Sequence, residues 1–251
     1  MTWSLIQALT GIQTGDDFNS HNFGYTNVIA VKTHYPVKTA RNSFDVIDAS
    51  FNRAIVLLRN PLYAIPSYYN LLYERQHHLP NHSTRGSNEE WIQYRDHGNH
   101  GFMYQIELFV KFVEYWLLRF QENRREMLLV TYEELIGDAG PVVAGRIVEF
   151  LSRGNDGVDV DLTRVECIWR SVVRYKDAHT QQSSLEASGR RTTAKHNSFR
   201  EGPKERPYQN EHLEHLLGVL HGLREVHSYD EEFVTVMNGY IDIVSNTAPV
   251  E

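Results

Sequence analysis

Apolar positions along this chain keep two rhythms. Three short runs are almost unbroken: residues 27–31 (Asn-Val-Ile-Ala-Val), 54–58 (Ala-Ile-Val-Leu-Leu) and 127–132 (Met-Leu-Leu-Val-Thr-Tyr). A run without alternation suits a strand covered on both faces, as in a parallel sheet. Elsewhere apolar residues return every three or four positions, the period of a helix. Leu5, Leu9 and Ile12 begin such a stretch, and Gly11 and Gly15 break it. Ala64, Ile65, Tyr68, Tyr69 and Leu72 form another after Pro61. Pro61 suits a first helical turn, whereas Pro66 would kink the helix if it lies deeper.

Longer helical patterns follow. Residues 104–120 place Phe109, Phe112, Val113, Trp116 and Leu117 on one face. Helices are expected over about 142–151 and 162–173, and a last one over 211–226 with Leu213, Leu216, Leu217, Leu220 and Leu223 inward. Two polar stretches interrupt this order. Residues 74–100 hold His77, His78, His82, His97 and His100 and read as a solvated loop, because no carboxylate or thiol stands at a recognised metal spacing. Residues 176–209 carry Arg190, Arg191, Lys195, Arg200, Lys204 and Arg206. Alternating strands and helices predict an α/β fold around a parallel sheet, as one domain over residues 1–251.

Composition narrows the function. The 251 residues are 41% hydrophobic and 23% charged, enough apolar matter for a sizeable core. A net charge of -7 argues against a general nucleic-acid binder. It leaves room for a small anionic ligand, which needs only a few placed cations. Cys167 stands alone, so it makes no internal disulfide, and it is expected as a small buried hydrophobe. No apolar stretch approaches the roughly 18 residues of a membrane span.

Ligands of open parallel sheets bind outside the carboxyl ends of the strands. The first run ends in Lys32 and His34, the second in Arg59, and Ser67 follows Arg59 by two helical turns. A forked guanidinium and a hydroxyl together can grip one phosphate. Singly, each residue has an ordinary reading: a solvated lysine, a histidine capping a carbonyl, an arginine in a surface ion pair. The combination is more telling, because the three share one edge of the inferred sheet.

These segments resemble the sulfotransferases that use 3′-phosphoadenosine 5′-phosphosulfate. Val31-Lys32-Thr33-His34-Tyr35-Pro36 resembles their Lys-Thr-His-x-Pro segment. Leu58-Arg59-Asn60-Pro61, with Ala64 and Ser67-Tyr68-Tyr69, resembles their 3′-phosphate-binding segment. Val130-Thr131-Tyr132-Glu133-Glu134-Leu135 is similar to their Tyr-Glu-Asp/Glu-Leu strand end, and Phe199-Arg200-Glu201-Gly202 to a late Phe-x-Arg-Lys-Gly segment. Thr2-Trp3 resembles the tail of their phosphosulfate loop. Ala8-Leu9-Thr10-Gly11-Ile12 with Thr14-Gly15 is similar to a segment of the WSC-domain-containing sulfotransferases.

The resemblance implies a P-loop-like three-layer fold with a central parallel sheet. It implies donor-binding roles for Thr2, Trp3, Arg59, Ser67, Tyr132, Arg200 and Gly202, with His34 as general base and Lys32 stabilising charge at the reacting oxygens. The donor would be the co-substrate, no metal would be needed, and the acceptor would be a small molecule, a glycan or a protein side chain. Golgi membrane or lumen is the expected compartment if a longer chain carries an anchor, and the cytoplasm otherwise. The family's loop lysine and its preceding strand would lie upstream of Met1, which reads as a fragment. Glu201 stands where the family has lysine, and Lys204 or Arg206 is the candidate to compensate. Two other readings stay open: an inactive or merely ligand-binding remnant of this fold, and a small-molecule kinase with a P-loop.

Overall fold

A computed structural model of the chain describes residues 2–16, 28–33, 52–80, 83–153, 158–174 and 206–249. The chain divides into two compact units, each assembled from two stretches: residues 1–58 with 122–192, and residues 59–121 with 193–251.

The first unit begins with helix α1 (Thr2–Thr10). Gly11 ends it with a φ of 70°, a left-handed conformation that glycine adopts without steric cost. The chain then enters strand β1 (Thr14–Asp16), which pairs in parallel with β2 (Ala30–Lys32). Strand β3 (Ala54–Leu58) pairs in parallel with β4 (Met127–Thr131), in a register that runs from Ala54 opposite Met127 to Leu58 opposite Thr131. The described strands thus form two parallel ladders of two strands each. All five residues of β4 are buried, as its unbroken apolar run predicts.

Three further helices follow β4: α5 (Tyr132–Ile136), α6 (Gly140–Ser152) and α7 (Val165–Val173). One apolar core joins Leu5 and Leu9 of α1, Leu128 and Val130 of β4, Ala144 and Ile147 of α6, and Val165 and Trp169 of α7. Each helix contributes one stripe, at the spacing that the sequence shows.

The second unit is helical throughout its described residues. Helix α2 (Pro61–Gln76) is followed by α3 (Asn88–Arg95), α4 (Phe102–Arg119), α8 (Asn210–Val226) and α9 (Glu231–Ser245). Helices α8 and α9 pack on one another, and α8 also packs on α4. Leu213, Leu216, Leu220 and Leu223 are buried on α8, with Leu217 only partly so.

Several expectations need correction. Ile12 lies past the end of α1 and is exposed, because Gly11 has already turned the chain. The second strand sits three residues later than its apolar run begins, at Ala30–Lys32. Strand β1 falls where only a break is expected; its three residues are too few to show a period. Residues 74–100 are not one loop, since they contain the end of α2 and all of α3, which buries Trp91 and Arg95. The sign was Ser87-x-x-Glu90, a capping box. Helix α9 extends the helical region beyond 226, through Phe233, Met237, Tyr240, Ile241 and Val244 on one face. On α4 the inward residues are Phe102, Ile106, Val113, Trp116 and Leu117, while Phe109 and Phe112 are half-buried. Cys167 is exposed. It lies two residues past buried Val165, about 200° around the helix, so the inward face passes it by.

Candidate functional site

In the first unit, the β3–β4 ladder ends on both strands at one register pair, Leu58 opposite Thr131. That is its carboxyl edge, where parallel sheets present ligand sites. Thr131 closes the strand and caps the next helix. Its hydroxyl accepts from the Glu134 N–H at 3.2 Å and donates to the Glu134 carboxylate at 2.6 Å. Tyr132 is therefore fixed as the first residue of α5, half-buried at this edge.

Lys32 ends β2 and is exposed. Its ammonium lies 5.7 Å from the centre of the Trp3 indole, a cation–π contact. Trp3 and Thr2 form the start of α1, both half-buried. Two residues remote in sequence are thus joined. His34 lies outside the described residues, as do Arg200, Glu201, Gly202 and Lys204.

In the second unit, Arg59 follows β3 directly and leads into α2. Asn60 caps that helix: its side-chain oxygen accepts from the Leu62 N–H at 3.0 Å, fully buried. Pro61 takes the first helical position, where its missing N–H costs nothing. Asparagine and proline in the motif are thus architectural. They begin a helix whose positive end lies beside Arg59. Ser67 stands on α2, half-buried, about 9 Å of helical rise beyond Pro61.

The clearest departure from expectation is Arg206, the candidate to compensate for Glu201. It is 5% exposed, and both terminal nitrogens of its guanidinium are bound to the protein. Its guanidinium donates to the Ser87 carbonyl at 3.1 Å, to Asn88 Oδ1 at 3.0 Å and to Asn70 Oδ1 at 2.7 Å. The rings of Tyr69 and Trp91 lie 5.5 and 5.8 Å from its centre. Burial, with a smaller push from Arg85, brings its pKa down to about 10, so it remains charged at neutral pH. Arg206 is a structural cation that ties its segment to α2 and α3. The next residues extend the tie. The Pro207 carbonyl accepts from the Trp91 indole at 3.2 Å and from Arg95 at 2.7 Å. The Tyr208 hydroxyl donates to the Leu62 carbonyl at 2.8 Å.

The histidines of residues 74–100 that the structure describes have ordinary partners where their contacts are defined. His77 donates to the Tyr73 carbonyl at 2.9 Å, and His97 stacks on His100. Sequence reasoning named Asn60 only as part of the Arg59 segment, without its capping role, and missed Asn70 and Tyr208. Asn60 was visible as an N-cap before a proline. The other two become legible only through their distant partners.

A family model described as "Sulfotransferase domain" matches residues 20–205, well over half of the chain. No curated protein and no solved structure matches it.

Proposed function

The chain belongs to the sulfotransferase domain family, and from that premise we propose that it moves a sulfuryl group from 3′-phosphoadenosine 5′-phosphosulfate to a hydroxyl or amine acceptor. The observation that carries this reading is Arg59. It stands directly after a parallel strand and directly before the capped, proline-initiated helix that bears Ser67.

Arg59 and Ser67 hold the 3′-phosphate of the donor, with support from Arg200 and the backbone at Gly202. A fork of N–H donors, a hydroxyl and a helix N-terminus together suit a dianion. Trp3 and Tyr132 offer aromatic surface to the adenine, and Thr2 belongs to the turn around the phosphosulfate. The acceptor oxygen attacks sulfur as the bond from sulfur to the 5′-phosphate oxygen breaks. His34 takes the acceptor proton, a task that suits an imidazole near neutral pH. Adenosine 3′,5′-bisphosphate leaves. Negative charge spreads over the in-line transition state, and the Lys32 ammonium stabilises it. The fold in this reading is three-layered and P-loop-like, and Ala8 to Gly15 point to the WSC-domain-containing branch.

His34→Ala will abolish transfer while leaving adenosine 3′,5′-bisphosphate binding intact, and Arg59→Ala will weaken that binding by about tenfold or more. Single-turnover assays with labelled donor and calorimetric titration measure the two effects. Retained turnover in the first variant removes His34 from the chemistry. Unchanged affinity in the second removes Arg59 from the phosphate site.

A further inference from the structure

Helix α2 contains a fault at its most sensitive point. Pro66 stands five residues beyond Pro61, well inside the helix. A proline there has no N–H for the carbonyl four residues earlier, and its ring crowds that oxygen. The carbonyl in question belongs to Leu62, which is 3% exposed. Left without a donor, a buried carbonyl is destabilising. Its hydrogen bond comes instead from the Tyr208 hydroxyl, at 2.8 Å in a buried setting. The Leu62 N–H is held by the Asn60 side chain at 3.0 Å. Side chains therefore hold both backbone polar groups of one residue, in the first turn of α2 between Arg59 and Ser67.

The donor is rigidly placed. Tyr208 is 3% exposed, with its ring edge-on to Trp91 and tilted against Phe102. The Pro207 carbonyl and the Arg206 guanidinium are fixed to α2 and α3 by the bonds described above. Burial pushes the phenol's pKa upward, so it stays protonated and able to donate.

We propose that Tyr208 is a positioning residue of the phosphate site: its hydroxyl stands in for the N–H that Pro66 lacks and holds the Arg59–Ser67 segment in its binding geometry. The inference rests on the reading of Arg59 and Ser67 as phosphate ligands.

The test is a cycle of four proteins, each the full chain: wild type, Tyr208→Phe, Pro66→Ala and the double variant. Each is titrated calorimetrically with adenosine 3′,5′-bisphosphate after circular dichroism shows it folded. Tyr208→Phe is expected to weaken binding about tenfold in the native background. In the Pro66→Ala background the loss should shrink to about twofold or less, because the alanine N–H now reaches the Leu62 carbonyl. A purely structural tyrosine would lower melting temperature and leave the affinity of the folded chain unchanged, which overturns the proposal. So does a loss that persists undiminished in the Pro66→Ala background. If Tyr208→Phe alone does not fold, recovery of fold and affinity in the double variant supports the proposal, and failure to recover overturns it. Absence of binding by the wild type, or binding indifferent to Arg59→Ala, defeats the reading of the site itself, and the proposal with it. That failure shows itself without any change at Tyr208.

Discussion

Trp169 shows how much one position can depend on a missing atom. Its indole N–H donates to the Leu135 carbonyl at 2.8 Å, and its ring lies directly against the Cα of Gly140. A Cβ on residue 140 would overlap the ring carbons of the indole. Alanine is the better helix former by about 1 kcal/mol, so propensity alone favours the substitution. Overpacking a buried indole costs about 1–3 kcal/mol and is compounded by the hydrogen bond the ring must keep. Gly140→Ala should therefore destabilise the protein by about 2 kcal/mol. Urea unfolding followed by tryptophan fluorescence measures it, and an unchanged or raised midpoint refutes the packing argument.

Helix α3 is short, and its ends do much to define it. Ser87 accepts from the Glu90 N–H at 3.1 Å, and the Glu90 carboxylate accepts from the Ser87 N–H at 3.1 Å. An eight-residue helix is marginal by itself, so caps and burial must sustain it. The Ser87 carbonyl also accepts from Arg206, which connects the cap to the segment that carries Tyr208. Ser87→Ala is expected to lower stability by about 1 kcal/mol, and Ser87→Asp to retain most of it. Denaturant midpoints of the two variants decide the matter, and equal losses would show that capping is not the cause. Helix α2 uses its own device, a side-chain cap at one end and a distant hydroxyl in place of an internal N–H. The first turn of α2 is thus made by contacts from outside the helix as much as by the helix.

At the scale of the whole molecule, acid acts on buried imidazoles. His212 is held below its ordinary pKa of 6.5, first by burial and then by Arg95, against the opposing pull of Asp96 and Glu211. His227 is also lowered by burial, opposed by Glu114 and Asp230. In both cases the folded state holds fewer protons than the unfolded chain. Their contribution is complete above pH 6.5 and is lost as the pH falls below it toward the lowered folded values. Asp96 is shifted the same way, chiefly by its bond from Arg95, and adds a second loss within the carboxylate range. Stability measured in urea should therefore hold steady above pH 6.5 and fall as the pH drops below it. A flat profile across that window contradicts the assignment of neutral, buried histidines. His212→Gln should flatten part of the fall.

Much of this was legible in the residues alone. The parallel strands at 54–58 and 127–131, the helices after Pro61 and after residue 210, and the order of the Lys32, Arg59 and Tyr132 segments follow from local pattern. Periodicity and capping act over a few positions, so they are written in the sequence; Ser87-x-x-Glu90 and the face from Phe233 to Val244 were written there too. What tertiary structure alone decided is the use of polar groups whose partners are remote. Arg206 spends its charge 136 residues away on Asn70. Pro66 is tolerated in a helix because Tyr208 reaches back 146 residues to Leu62. A hydrogen bond over such a span depends on where packing brings two chain segments together, and no local pattern carries that information.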